Sequence, residues 1–186
     1  MENLSLSMRL ELSLKLSEEE RKAVYQILKE CNDDFVPPLS KRSTTFQTDW
    51  TNTQDSEEGI KSYFDEIIRQ NNVLLKKDGK VIAFLSFKVP YTCEALEAYQ
   101  PLCYLTTLCM DKRYRGFKLT PAIYEYTQEC IHRLYPEYSI GLRTWSTNKA
   151  QLHMMEQMGF SCVACLKNDR GEGIDTVYFV KKESLS

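Results

Sequence analysis

The segment Asp111-Lys112-Arg113-Tyr114-Arg115-Gly116-Phe117-Lys118-Leu119-Thr120 joins an apolar run ending at Met110 to a helical pattern opening near Pro121. A loop that delivers the chain from a strand into a helix gathers unpaired backbone N–H groups at the positive end of the helix dipole. Proteins hold phosphate with that arrangement. Arg115 and Lys118 add positive charge, and Thr120 before Pro121 reads as a helix cap followed by proline at the first helical position. By itself the segment is a polar strand-to-helix loop, of which many α/β proteins contain one, so its meaning depends on what flanks it.

Upstream, a strand is expected from Cys103 to Met110, after a loop that follows Pro90. Before it, Val73 to Leu75 and Val81 to Val89 flank Asp78-Gly79, a pair that supplies the positive φ angles of a tight hairpin turn. A helix after Ser56 carries Ile60, Tyr63, Phe64, Ile67 and Ile68 on one face and is expected to end at Asn71-Asn72. Asn32 to Asp55 is polar and irregular, and a long loop of this kind commonly shapes a binding site. At the start, Leu4, Leu6, Met8, Leu10, Leu12, Leu14 and Leu16 recur at period two, predicting a half-buried strand over about Met8 to Lys15. Ser17 and Glu20 form a capping box for a helix reaching Glu30.

Downstream the pattern predicts a helix Pro121 to Leu134, a strand Ser139 to Thr144, a helix Asn148 to Met158, and closing strands Ser161 to Lys167 and Ile174 to Lys181 around an Arg170–Gly173 turn. The order is β-α-α-β-β-β-α-β-α-β-β, in one α/β (α+β) domain over residues 1–186, without repeats.

With 24 Lys plus Arg against 26 Asp plus Glu and a pI near 5.8, the chain has no broad attraction for nucleic acid or anionic lipid. No basic stretch leads into an apolar run and no segment is apolar enough to span a bilayer, so a cytoplasmic protein without membrane association is expected. Its seven cysteines fit a reducing compartment. Cys162 and Cys165, three apart on a strand, should point to opposite faces as buried thiols rather than form a metal or redox pair. His132 and His153 lie in different helical segments, and no metal site is expected.

Asn148 opens a helix that Gly159-Phe160 closes, with Leu152 and Met155 between. Together with Tyr114-Arg115-Gly116, this resembles the coenzyme-binding core of the GNAT superfamily of N-acetyltransferases, in which a Tyr-Arg-Gly-x-Gly-x-Gly loop is followed by an Asn-led helix ending in Gly-Phe. The element order fits nearly the whole chain. The resemblance implies a central mixed, mostly antiparallel sheet flanked by helices, acetyl-CoA as acyl donor, and an amine of a small molecule or peptide as acceptor. It also implies that Leu108, Cys109 and Met110 offer backbone groups to the pantetheine arm. The amides of Arg115, Gly116, Phe117, Lys118, Leu119 and Thr120 would hold the pyrophosphate, and Asn148 and Met155 would line the cofactor, although Asn148 serves equally as a helix cap.

Two features depart from that pattern. Lys118 and Thr120 replace the second and third loop glycines, and a shifted register with Arg113 leading still leaves Lys118 at the third. The strand Tyr104-Leu105-Thr106-Thr107 has no carboxylate to serve as base, and Met155 stands where the family's thiolate-protonating tyrosine is usual. Tyr104 and Thr106, on one strand face, are the candidate catalytic residues, with Thr106 placed to hold a water. His153, Asp33, Asp34 and Asp175 rank lower as surface charges. Asp33, Asp34, Phe35 and Trp50 would suit a cationic acceptor. A CoA-binding regulatory or interaction module without catalysis is the alternative. A Rossmann dinucleotide site is disfavoured because Gly-x-Gly-x-x-Gly is missing. Strand edges near the C-terminus would allow a homodimer.

Overall fold

The structure, a computed structural model, describes residues 7–42, 44–45 and 57–182. Leu4, Leu6, Trp50, Ser56 and part of the polar stretch Asn32 to Asp55 lie outside them. The elements are β1 (Met8–Ser13), α1 (Glu18–Glu30), α2 (Glu57–Ile67), β2 (Asn71–Lys77), β3 (Lys80–Lys88), β4 (Leu102–Met110), α3 (Thr120–Leu134), β5 (Ser139–Trp145), α4 (Lys149–Gln157), β6 (Ser161–Leu166) and β7 (Thr176–Lys181). They follow the expected order. The seven strands form one sheet in the order β1-β2-β3-β4-β5-β7-β6. β4 and β5 are parallel, while β1–β2, β2–β3, β5–β7 and β6–β7 are antiparallel. The chain is therefore a mixed α/β fold with a mostly antiparallel sheet and flanking helices.

The chain divides into two compact units, the first within Met1–Phe87 and Thr107–Thr127, the second within Lys88–Thr106 and Gln128–Ser186. In the first, the Ser17 hydroxyl accepts from the Glu20 amide at 3.2 Å and the Glu20 carboxylate accepts from the Ser17 amide at 2.7 Å, which starts α1 as the capping box requires. Val24, Ile27 and Leu28 of α1 and Tyr63 and Ile67 of α2 pack with Leu74, Phe84 and Cys109 in a dry core. The Tyr63 hydroxyl is satisfied there by Thr107 Oγ1 at 2.7 Å. A Cβ built on Gly59 would stand 1.9 Å from the Ser40 carbonyl oxygen, so α2 and the 3-10 turn Leu39–Lys41 meet backbone to backbone. At the hairpin, Asp78 (φ 49°) and Gly79 (φ 79°) adopt the left-handed pair that a two-residue turn needs.

Several expected boundaries are corrected. β1 stops at Ser13, and β7 starts at Thr176 instead of Ile174. Asn71 and Asn72 do not simply end α2; they open β2, and the buried Asn72 amide donates back to the carbonyls of Ile67 and Gln70 while accepting from Ser86 Oγ. One side chain thus serves the helix end from inside the strand. The loop after Pro90 holds a 3-10 turn, Glu94–Tyr99, which buries Leu96 against Leu102, Tyr104, Tyr178 and Val180 in the core of the second unit. Two short 3-10 turns, Asn32–Asp34 and Leu39–Lys41, likewise occupy the stretch read as an open loop.

The thiols of β6 are the clearest correction. Cys162 and Cys165 are exposed, not buried. A bulge at Val163 lets Cys162 pair with Phe179 and Cys165 with Val177, so the extra residue cancels the odd spacing and both cysteines fall on one face of the edge strand.

Candidate functional site

The loop after β4 is built from its first residue. The Asp111 amide donates to the Ile82 carbonyl at 2.9 Å, and the Asp111 carboxylate accepts from the Arg113 amide at 2.9 Å and from its guanidinium at 2.6–3.1 Å. The Arg113 partner holds this carboxyl below its ordinary range. A 3-10 turn follows over Lys112–Tyr114, in which the Tyr114 and Arg115 amides donate to the carbonyls of Asp111 and Lys112. Beyond that turn the pattern changes. Gly116 (φ 82°) and Lys118 (φ 56°) take left-handed backbone on either side of Phe117, and α3 starts at Thr120. The amides of Gly116, Phe117, Lys118 and Leu119 donate no hydrogen bond among the described residues. Alternating backbone of this kind turns successive N–H groups into a concavity for an anion, and a Cβ at Gly116 would meet nothing within 4 Å, so the approach to them is open. Lys118 thus takes left-handed backbone of the kind that glycine adopts freely.

The Arg115 side chain is used differently from the expectation that it adds charge to the loop. Its Nη2 lies 2.7 Å from the Asp34 carboxylate and 3.2 Å from Cys31 Sγ, and its Nε donates to the Met110 carbonyl at 3.2 Å. Arg115 thereby ties the loop to the end of α1, and Lys118, exposed, carries the loop's cation. Asp34, weighed as a substrate group, is the counter-ion in this tie. The hydrogen bond from the Cys109 thiol, with Arg115 adding its charge against the effect of burial, brings the Cys31 thiol down to about 7. The Met110 carbonyl, expected to face pantetheine, is already engaged. Leu108 and Met110 are half-buried and Cys109 is buried.

In the second unit, Asn148 caps α4, its side-chain oxygen accepting from the Gln151 amide at 3.3 Å and its nitrogen donating to Thr144 Oγ1 at 3.2 Å. Met155 is fully buried. Gly159 (φ 80°) terminates the helix, with the Phe160 amide donating to the Met155 carbonyl. His153 is exposed. Asp175 staples the β6–β7 turn, accepting from Lys167 Nζ at 2.8 Å and from the Asn168 amide at 3.0 Å. Tyr104 is 1% exposed, its ring stacks on Tyr91 with centroids 4.2 Å apart, and its hydroxyl has no partner among the described residues. Thr106 is half-buried, two residues on along β4.

Sequence reading missed Tyr91, Tyr178 and Arg143. Arg143 left a signal, a lone cation in the middle of an otherwise apolar strand. The tyrosines left none, because each also reads as ordinary core.

The chain matches the model of the acetyltransferase (GNAT) family over residues 22–160. The chain belongs to the GNAT family. No curated protein matches its sequence significantly. Among solved structures, the GNAT chain resembles the ribosomal-protein-S5-alanine acetyltransferase of Vibrio fischeri, with a TM-score of 0.67 at 12% identity over 98% of this chain and 96% of that one. The ribosomal-protein-S18-alanine N-acetyltransferase of Escherichia coli gives a TM-score of 0.61 at 18% identity over 96% of each chain. Salmonella typhimurium yncA, solved with its cofactor acetyl-CoA, gives 0.62 at 10% identity over 97% of this chain and 96% of that one. At these identities the likeness shows a shared GNAT fold.

Proposed function

We propose that this GNAT protein transfers an acetyl group from acetyl-CoA to an amine of a small molecule or peptide. The row of amides from Gly116 to Leu119, which donate to nothing among the described residues and lie just before α3, carries the reading. A pyrophosphate fits there, because the concavity is open and Lys118 adds a cation. The acetyl-CoA in yncA and the alanine acceptors of the two ribosomal-protein enzymes support the donor and the reaction type.

Bound acetyl-CoA supplies a thioester whose C–S bond breaks as the C–N bond forms. The acceptor ammonium must first lose a proton, and β4 offers no carboxylate to take it. Thr106, half-buried on β4, holds a water that carries this proton away. Burial pushes the Tyr104 phenol well above its ordinary value, so Tyr104 is a hydrogen-bond donor and never the base. Without a dedicated base, most of the acceleration must come from holding thioester and amine together.

Calorimetric titration with acetyl-CoA, with desulfo-CoA and NAD as comparison ligands, tests the reading. Affinity on the order of micromolar for both CoA compounds and none for NAD is expected. Absence of acetyl-CoA binding would overturn it.

A further inference from the structure

The second unit contains a polar cluster inside an otherwise apolar core. Tyr104 on β4 pairs with Gly141 on β5, and Arg143, two residues further along β5, pairs with Tyr178 on β7. Residues two apart on a strand share a face, as do directly paired residues, so Tyr104, Arg143 and Tyr178 project from one side of the sheet. Arg143 Nη1 lies 3.5 Å from the Tyr178 hydroxyl, and Tyr91 stacks on Tyr104. Leu96 and Leu102 fill the space beside Gly141.

Three observations point to an anion. A half-buried guanidinium stands on an otherwise apolar face, beside a core where charge is costly to bury. The nearby groups, Tyr91, Cys93 and Tyr104, are all raised by burial and so are protonated donors at neutral pH. The Tyr104 hydroxyl, almost wholly buried, has no hydrogen-bond partner among the described residues, and an orphaned buried donor costs about 1–3 kcal/mol unless something completes it. One cation with neutral phenols balances a single negative charge, and the planar guanidinium fork matches a carboxylate. A phosphate dianion would remain half neutralised.

We infer that Arg143, with the hydroxyls of Tyr104 and Tyr178, holds the carboxylate of the acceptor, which is therefore a carboxylate-bearing amine of amino-acid type. This deepens the proposed acetyl transfer and rests on it. Thr106, assigned there to the water that accepts the ammonium proton, lies on the same side of β4 as Tyr104 and about 7 Å along the strand. That spacing suits a compact substrate whose amine and carboxylate are a few bonds apart.

The test is CoA-thiol release from acetyl-CoA with free amino acids and with their amides. The acids are expected to show the lower KM, and Arg143→Gln to raise it for the acids by about ten- to a hundredfold, with the amides and the acetyl-CoA Kd unchanged. Arg143→Lys, which keeps the charge without the fork, should fall between. Should Arg143→Gln fail to fold, Tyr104→Phe removes one hydroxyl and is expected to raise the acid KM by about three- to tenfold. Equal KM for acids and amides, or an acid KM indifferent to both substitutions, overturns the carboxylate assignment.

A second arm needs no turnover. N-acetyl amino acids titrated into CoA-free protein should bind wild type and be lost in Arg143→Gln, and no binding overturns the site. Inorganic phosphate binding more tightly than acetate at this cluster also overturns it. Thiol release with amides alone would sink this inference and leave acetyl transfer standing, whereas failure of acetyl-CoA to bind sinks the transfer reading itself.

Discussion

Gly116 and Lys118 share the left-handed backbone that turns the loop amides outward, but only one of them is glycine. Left-handed backbone costs a side-chain-bearing residue about 1–2 kcal/mol. Gly116→Val is therefore expected to lose about that much stability in denaturant unfolding and to weaken acetyl-CoA binding in calorimetry. Lys118→Gly should keep its stability within about 1 kcal/mol, since relief of strain offsets the greater freedom of the unfolded chain, yet bind acetyl-CoA less tightly for want of the cation. The Cys31 thiol is depressed to about 7, so its stabilising contribution is fully present above the ordinary value of 9.0 and is lost as pH falls through 7. Thiolate absorbance should show a group titrating near 7 in wild type, well apart from Cys93, Cys103, Cys109 and Cys165, which are all raised, Cys103 to about 12. Cys109→Ala removes the main cause and should move that midpoint upward; an unchanged midpoint would show that another group sets it. The family resemblance was legible because Tyr114-Arg115-Gly116 stands in the chain, whereas the turn of the Arg115 side chain toward Asp34 needs two residues far apart in sequence.

At the scale of elements, local chemistry reads well. The Ser17 and Glu20 box and the Asp78-Gly79 turn form as their sequences specify, because the partners are within a few residues of each other. The end of α2 and the faces of β6 did not, because Asn72 is held by Ser86 on the neighbouring strand and the β6 bulge is set by pairing with β7. Asn72→Ala would remove the side-chain donor to the Ile67 and Gln70 carbonyls and the buried acceptor of the Ser86 hydroxyl, and is expected to cost about 1–3 kcal/mol in equilibrium unfolding. Gly59→Ala should cost at least as much, since its new Cβ meets the Ser40 backbone instead of a movable side chain, and overpacking runs to about 1–3 kcal/mol or more. A Gly59→Ala protein as stable as wild type would mean that α2 and the Leu39–Lys41 turn do not approach as described.

For the molecule as a whole, the Arg113 guanidinium holds Asp111 below its ordinary 3.8, and Lys167 holds Asp175 down likewise. Stability from these carboxylates is present above about 3.8 and is lost as pH falls through their lower folded values. Melting temperature should therefore drop as pH falls below about 3.8, less steeply in Asp111→Asn, a difference differential scanning calorimetry would resolve. Alternation and helical periodicity, which act within one segment, determined the number, type and order of the helices and strands, and the loop and Asn-led helix pointed to the family by sequence alone. Only the tertiary structure decided the strand order, the exposure of Cys162 and Cys165, the use of the Arg115 side chain, and the gathering of Tyr91, Tyr104, Arg143 and Tyr178. Those depend on register between strands distant in the chain, and a one-residue bulge there redirects every side chain beyond it.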